Sequence, residues 1–284
     1  MSSKIIPFSI NNSIVNLPEG YARISDDIEN FTVKQTDIWV LGFPKSGTTW
    51  LQEMVWCLAN NLNLSCQRSM LEKFPVLESK MHHHHSDEYY ILESIKYCDD
   101  LPDPRFIKCH LPWNALPKQL RTGEAKPKII YIHRDPKDVV VSMQNFLNNM
   151  GFSNQSIEQL SESMLENRIM RGPYWNHVNS AFENQKILPN LLLISYEDML
   201  NDLSSIIRKT AKHLEVDIDE NQIENLKHHL SFQSMKKNKT IAVREIKGEI
   251  KTVLAKGVAG RHKENMSPEL ISRFEKWENE NRKY

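Results

Sequence analysis

No stretch of this 284-residue chain is apolar for long enough to cross a membrane. Its longest apolar runs, such as ILPNLLLI from Ile187 to Ile194, fall well short of the roughly 18 residues a membrane helix needs. An excess of charge of one sign is missing too. Lys and Arg total 36, and so do Asp and Glu, so no overall field selects nucleic acid or a membrane surface as partner, and any anion site has to be built locally. Cysteine is scarce: Cys57, Cys66, Cys98 and Cys109 form no C-x-x-C pair, and the N-terminus lacks the charged, apolar, then small-residue order of a signal peptide. Reduced thiols in a cytoplasmic protein are the simplest expectation. The N-x-[ST] triplets, Asn30-Phe31-Thr32 among them, are then chance matches.

What is present alternates between strand and helix patterns. DIWVLG (Asp37 to Gly42) is a short apolar strand, and Thr48 to Leu62 carries apolar residues at helical spacing. RFIKCHLP (Arg105 to Pro112) and PKIIYIHRDP (Pro127 to Pro136) give two more strands, KDVVVSMQNFLNN a helix, NLLLISYEDM a strand into a loop, and DLSSIIRKTAKHLEV an amphipathic helix. This order predicts an α/β fold: a single domain over 1–284, its core about 37–263, built on a central, mainly parallel sheet flanked by helices. SPELISRFEKWENENRKY predicts a C-terminal surface helix over about 267–282. Ligands bind at the carboxyl ends of the strands in such sheets, where Lys45, His110, Arg134 and Tyr196 all fall. Two stretches resist the pattern. Cys66 to Pro104, which includes the His82–His85 run, reads as a long loop or short helices over the sheet edge; Lys236 to Lys263 is basic and Gly-containing, a candidate flexible lid.

GFPKSGTTW (Gly42 to Trp50) carries the most chemistry. A Gly-containing turn between a strand and a helix N-terminus aims backbone amides at phosphate oxygens, with hydroxyl donors from Thr48 and Thr49. Its lysine, however, stands two residues before the second glycine, not directly after it, so the G-K-[ST] of triphosphate loops is absent and a Mg²⁺-dependent kinase or triphosphatase is disfavoured. By itself the stretch could also be a Gly-turn with Ser46 as helix cap and Lys45 exposed. His110 is a candidate general base by its titration range, or a structural histidine. Lys108 lies two residues back on the same strand face; Arg134 offers a planar fork suited to phosphate, or to a salt bridge.

PKSGTTW resembles the 5′-phosphosulfate-binding loop of the cytosolic sulfotransferases, which use 3′-phosphoadenosine 5′-phosphosulfate (PAPS) as donor. Four further stretches are similar to family segments in the expected order: FIKCHLP to K-x-H-[LF]-P, YIHRDPKDVVVSM to R-[ND]-x-x-D-[VA]-x-x-S, SYEDM to Y-E-D-[ML] and LSFQSM to T-S-F-x-x-M. The resemblance covers roughly Ile38 to Gly260, and the C-terminal part is similar to invertebrate members. It implies a P-loop-like sulfotransferase fold and a sulfotransferase that moves a sulfuryl group from PAPS to a small apolar phenol, sterol, alcohol or amine, leaving the bisphosphate PAP, with no metal. Lys45 would face the bridging oxygen and Lys108 the sulfuryl oxygens, with His110 as base. Ser46, Gly47, Thr48 and Thr49 would hold the 5′-phosphate, and Arg134 and Ser142 the 3′-phosphate. Trp50, Tyr196, Ser231, Phe232 and Met235 would line adenine and ribose, with Lys256 and Gly257 from a last clamp.

That clamp departs from the family. Where R-K-G-x-x-G-[DN]-W-K-N is usual, the chain reads AKGVAGRHKEN: Ala255 replaces the arginine, and Arg261 and His262 replace the acidic-tryptophan pair. Arg261 or Arg244 is the expected substitute for the arginine. The first residue of T-S-F is Leu230, and the dimer motif K-x-x-x-T-V-x-x-x-[EV] has become KENMSPELIS, which argues against a family-type homodimer. Two other readings follow: a weakly active or non-catalytic binder of PAPS or PAP, motivated by the clamp, and a dehydratase working through a transient sulfate ester. The His82–His85 run reads as solvated, at the acceptor entrance, and not as a metal site.

Overall fold

In the computed structural model, which describes residues 4–81, 93–246, 249–254 and 257–284, the alternation of patterns becomes a four-stranded parallel sheet. Its strands are β3 (Ile38–Gly42), β4 (Phe106–Cys109), β5 (Lys128–His133) and β6 (Leu191–Ser195), in the order β4-β3-β5-β6. Preceding them is an antiparallel hairpin, β1 (Ile5–Ile10) and β2 (Ser13–Pro18). Asn11 and Asn12, both left-handed at φ 46° and 64°, close its two-residue turn, the chemistry that matches the twist of paired strands. The sequence pattern did not reveal this hairpin.

The sheet is apolar on both faces, as a parallel sheet must be when both are covered. Side chains alternate: Trp39, Leu41, Ile107, Cys109, Ile129, Tyr131, Leu191 and Leu193 enter one core, while Ile38, Val40, Phe106, Ile130, Ile132, Leu192 and Ile194 enter the other. Helix α1 (Thr48–Ala59) and helix α4 (Leu203–Leu214) cover the second face. Helices α2 (Pro136–Met150) and α3 (Tyr174–Gln185) contribute to a third cluster, closed by the C-terminal helix α5 (Pro268–Asn281) through Leu270, Phe274 and Trp277.

Between the strands lie short helices at Met70–Lys73, Ser79–Met81 and Ser94–Asp99, as expected of the unpatterned stretch; His82–His85 falls outside the described residues. Two expectations change. The segment after Ser195 is not a loop but a helix, Tyr196–Asn201, whose first turn Ser195 caps through its hydroxyl. The stretch read as a flexible lid contains regular structure: a helix at Lys239–Ala242 and the antiparallel pair β7 (Val243–Ile246) and β8 (Glu249–Thr252).

The amino ends of β3 and β4 are fastened by a buried ion pair. Asp37 accepts from Arg105 Nε and Nη2, each at 2.7 Å, with both side chains at 0% exposure. The guanidinium also donates to the Thr32 carbonyl and to Asp99. Removing one partner strands the other charge without water. Asp37→Ala should therefore lower unfolding stability by about 3–5 kcal/mol, read as a shift in the urea midpoint at unchanged slope.

Candidate active site

Parallel register sets the carboxyl ends of the four strands level. Gly42 pairs with Ile132, and His133 with Ser195. The residues that follow stand in a row along the sheet edge: His110 after β4, Lys45 after β3, Arg134 after β5 and Tyr196 after β6. β3, from which the chain crosses to β4 on one side while β5 and β6 continue on the other, is the point where strand order reverses, and crevices open there.

The turn after β3 is unusual in its backbone. Lys45 is left-handed at φ 71° and Gly47 at φ 101°; for lysine that conformation costs on the order of 1 kcal/mol. Gly47, not Ser46, is the residue capping α1. A Cβ at Gly47 would lie 2.5 Å from Tyr196 Cδ2, so only glycine lets the loop approach β6 this closely. Ser46 is fully buried and its hydroxyl has no hydrogen-bond partner among the described residues. Lys45 is half-buried, its ammonium 4.0 Å from the centre of the Phe146 ring.

Arg134 connects the elements. Its guanidinium lies 4.1 Å over the Tyr196 ring and donates to the Val258 carbonyl at 3.0 Å and to the Lys45 carbonyl at 3.4 Å. Its Nε is buried without a partner among the described residues. Tyr174 holds the Arg134 backbone by donating its hydroxyl to that residue's carbonyl. Ser142, two turns along α2 from Arg134, is buried at 5% exposure. Thr48 is buried and Thr49 half-buried at the same helix start.

Farther along the row, Trp50 is half-buried, not a core residue. Its ring meets Tyr196 edge-on at 5.7 Å and its indole N–H donates to the Leu230 carbonyl at 2.9 Å. Leu230, the departure from the family segment, has its side chain fully buried in the core while its backbone carbonyl holds the tryptophan. Ser231 caps the helix Phe232–Lys237 by accepting from Ser234 N–H, and Met235 is buried beneath. Gly257, at φ 67°, lies against Phe232, where a Cβ would come within 2.5 Å of the ring. Ala255, Lys256 and the Arg244 side chain are outside the described set.

At the other end of the row, His110 has its tautomer decided by its neighbours. Its Nδ1 lies 2.6 Å from the Gly42 carbonyl. Because a carbonyl only accepts, Nδ1 carries the proton and Nε2 keeps its lone pair. Removal from water, with Lys108 and Arg171 beside it, holds the imidazole well below its usual pKa, so the neutral form prevails near pH 7. The backbone is fixed as well: His110 N–H donates to buried Glu78, and the His110 carbonyl accepts from His177 Nε2, whose Nδ1 accepts from the Tyr131 hydroxyl. Lys108, two residues earlier in β4, is buried. Sequence reasoning missed Glu78, Arg171, His177 and Tyr131, which carry no local pattern.

Among the described residues, one group of side chains with metal-ligand chemistry lies away from this row. Glu53, Cys57 and His229 bring ligand atoms within 4.8 Å of one another. The Glu53 carboxylate is already matched by buried Lys73 at 2.8 Å and accepts from His229 Nε2 at 2.8 Å. Although burial raises its pKa, these two partners outweigh that and hold it below the usual carboxylate range. The cluster thus works as an anchor, tying α1 to the segment that carries Leu230.

A sulfotransferase domain profile matches residues 35–283. The chain belongs to the sulfotransferase domain family. It is 38% identical over 287 residues to the luciferin sulfotransferase of Photinus pyralis, covering 94% of this chain and 77% of that one. It is 29% identical over 265 residues to sulfotransferase 1E1 of Homo sapiens, covering 90% and 87%. Among solved structures, retinol dehydratase in complex with androsterone and the inactive cofactor PAP superposes with a TM-score of 0.86 at 25% identity, over 98% of this chain and 89% of that one. The sulfotransferase reading of the motifs and of the α/β fold with its parallel sheet is borne out.

The site fits an adenosine bisphosphate. Two buried polar groups, Ser46 Oγ and Arg134 Nε, have no protein partner among the described residues, and the turn between them is held by the close packing of Gly47 against the Tyr196 ring. Gly47→Ala should cost about 1–3 kcal/mol of stability through strain and overlap and weaken PAP binding at least tenfold by calorimetry. Unaltered PAP affinity would remove the turn from the nucleotide site.

Proposed function

We propose that this sulfotransferase moves the sulfuryl group of PAPS onto the hydroxyl or amine of a small apolar acceptor, with His110 as general base. The observation that carries the reading is the row His110, Lys45, Arg134, Tyr196 along four adjacent strand ends. It offers a base, a cation for the breaking bond, a phosphate fork and an aromatic wall in the order that acceptor, sulfuryl group, phosphates and adenine require. The relatives point the same way: luciferin sulfotransferase by its name, and the structural neighbour by its bound PAP and androsterone.

In the step itself, the acceptor oxygen or nitrogen forms a bond to sulfur as the bond from sulfur to the 5′-phosphate oxygen breaks. The electron pair of that bond stays on the phosphate, and the acceptor proton passes to His110 Nε2. Lys45, half-buried in a turn whose backbone is fixed, stabilises the charge growing on the leaving oxygen. Lys108, two residues before His110, faces the sulfuryl oxygens. Ser46, Gly47, Thr48 and Thr49 take the 5′-phosphate, Arg134 and Ser142 the 3′-phosphate, and Trp50, Tyr196, Ser231, Phe232, Met235, Lys256 and Gly257 the nucleoside. Side chains supply the positive charge, so no metal is required.

We place the protein in the cytoplasm as a one-domain enzyme over 1–284; no helix among the described residues is long and apolar enough to cross a membrane. In place of the family dimer motif, KENMSPELIS forms the helix His262–Asn265 and the start of α5, with Met266 and Leu270 buried in its own core, which supports a chain without that dimer. The dehydratase reading keeps one support, the likeness to retinol dehydratase; accumulation of a sulfate ester, seen by product mass, decides against it.

Purified protein given labelled PAPS and a panel of phenols, sterols, alcohols and amines should transfer label to at least one. PAP binding without any transfer would leave a non-catalytic binder. His110→Ala should lower kcat by about 10²–10⁴-fold and Lys45→Ala by about 10²–10³-fold, with PAP affinity near normal for His110→Ala. Because the His110 pKa is lowered, its base form persists as pH falls, so the acid limb of kcat/KM should lie below pH 6.5. An acid limb above 6.5 would rule His110 out as base.

A further inference from the structure

The last clamp, where the sequence departs most from its family, is fastened by groups that the motifs did not identify. Asp138 stands in the first turn of α2, four residues after Arg134, and is 1% exposed. Its Oδ2 accepts from Gly260 N–H at 2.6 Å; its Oδ1 accepts from His262 N–H at 3.0 Å and from His262 Nδ1 at 2.9 Å. His262 is itself 7% exposed. These donors outweigh the opposing effect of burial and, with Arg134, hold the carboxyl down to about 2. The clamp segment then reaches Arg134 through the Val258 carbonyl and rests Gly257 on Phe232.

We infer that Asp138 and His262 form a latch that positions the Gly257–His262 segment and Arg134 for the 3′-phosphate side of the nucleotide; the inference rests on the PAPS reading above. Two physical consequences make it more than a structural tie. First, the segment carries left-handed glycines at 257 and 260, and flexible backbone of this kind is costly to order at the moment of binding. A latch closed beforehand removes that cost. Second, Asp138 lies 3.6 Å from the Arg134 guanidinium. An uncommitted carboxylate there would compete with a phosphate for the arginine. With both oxygens committed to three N–H donors, Asp138 meets Arg134 as an ion pair at 3.6 Å without a hydrogen bond, and Arg134 Nε stays without a partner among the described residues, available to an incoming anion. His262, at the position where the family has tryptophan, thereby acts on donor affinity without touching the donor.

Three variants test this by PAP titration calorimetry, alongside ligand-free thermal unfolding and amide exchange. His262→Ala, which removes the side-chain donor, should weaken PAP binding about tenfold or more and speed exchange at Gly260, with a lower ligand-free Tm because a buried side chain is truncated and buried Asp138 loses a donor. His262→Asn, whose Nδ2 can take the place of Nδ1, should restore affinity to within about threefold. Asp138→Asn, which retains size but offers fewer acceptors, should weaken binding at least as much as His262→Ala. In steady-state assays the loss should appear in KM for PAPS and not in kcat. Wild-type-like PAP affinity in His262→Ala, or failure of His262→Asn to rescue, overturns the latch. Failure of the wild-type protein to bind PAP at all would instead overturn the reading on which it rests.

Discussion

The contact between Gly47 and the Tyr196 ring is the constraint on which the rest of the site depends. It joins the turn after β3 to the start of the helix after β6, and it exists only because the intervening β5 brings both ends level in a parallel register. The same ring accepts Arg134 on one side and the edge of Trp50 on another. One aromatic side chain therefore fixes the Gly47 turn, the Arg134 guanidinium and the Trp50 ring with respect to each other. The strained lysine before Gly47 is held in place by the same packing, and strain of this kind persists where surrounding structure over-determines it.

His110 is governed by a complementary logic. Its ring is fixed by a carbonyl and its backbone by Glu78 and His177, so that the only nitrogen left with a lone pair is Nε2. Low solvation and the cations beside it keep the ring neutral. Burial first, and then the positive charges of Lys108 and Arg171, thus leave the His110 ring in the form that can accept a proton. The opposite arrangement, a carboxylate partner on Nδ1, would raise the pKa and favour the protonated ring.

Anchors outside the row explain how its parts keep their places. Glu53, with Lys73 and His229, ties α1 to the backbone that holds Trp50; Asp138 ties α2 to the clamp. Both are buried carboxylates provided with several donors, the condition under which a buried charge is tolerable. Their surroundings are not recoverable from short motifs. Asp138 sits inside a matched segment, yet nothing near it in the chain points to His262, 124 residues away.

The sequence by itself determined the four strands of the parallel sheet and the helices at Thr48–Ala59, Pro136–Met150, Leu203–Leu214 and Pro268–Asn281, since alternation and 3.6-residue periodicity are local properties, and it placed chemically capable residue types at the strand ends. It also identified Lys45, His110, Arg134 and Tyr196, because residue type at a strand terminus is legible in one dimension. The N-terminal hairpin escaped, although Asn11-Asn12 between short apolar runs carried a turn signal. Only the tertiary structure decided that Gly47 caps α1 while the Ser46 hydroxyl is buried without a partner among the described residues, which nitrogen of His110 bears the proton, and that Asp138 closes on His262. Those outcomes depend on hydrogen bonds and close approaches between distant segments. Such pairings leave no period in the chain, because each arises from how whole elements pack and not from the residues beside it.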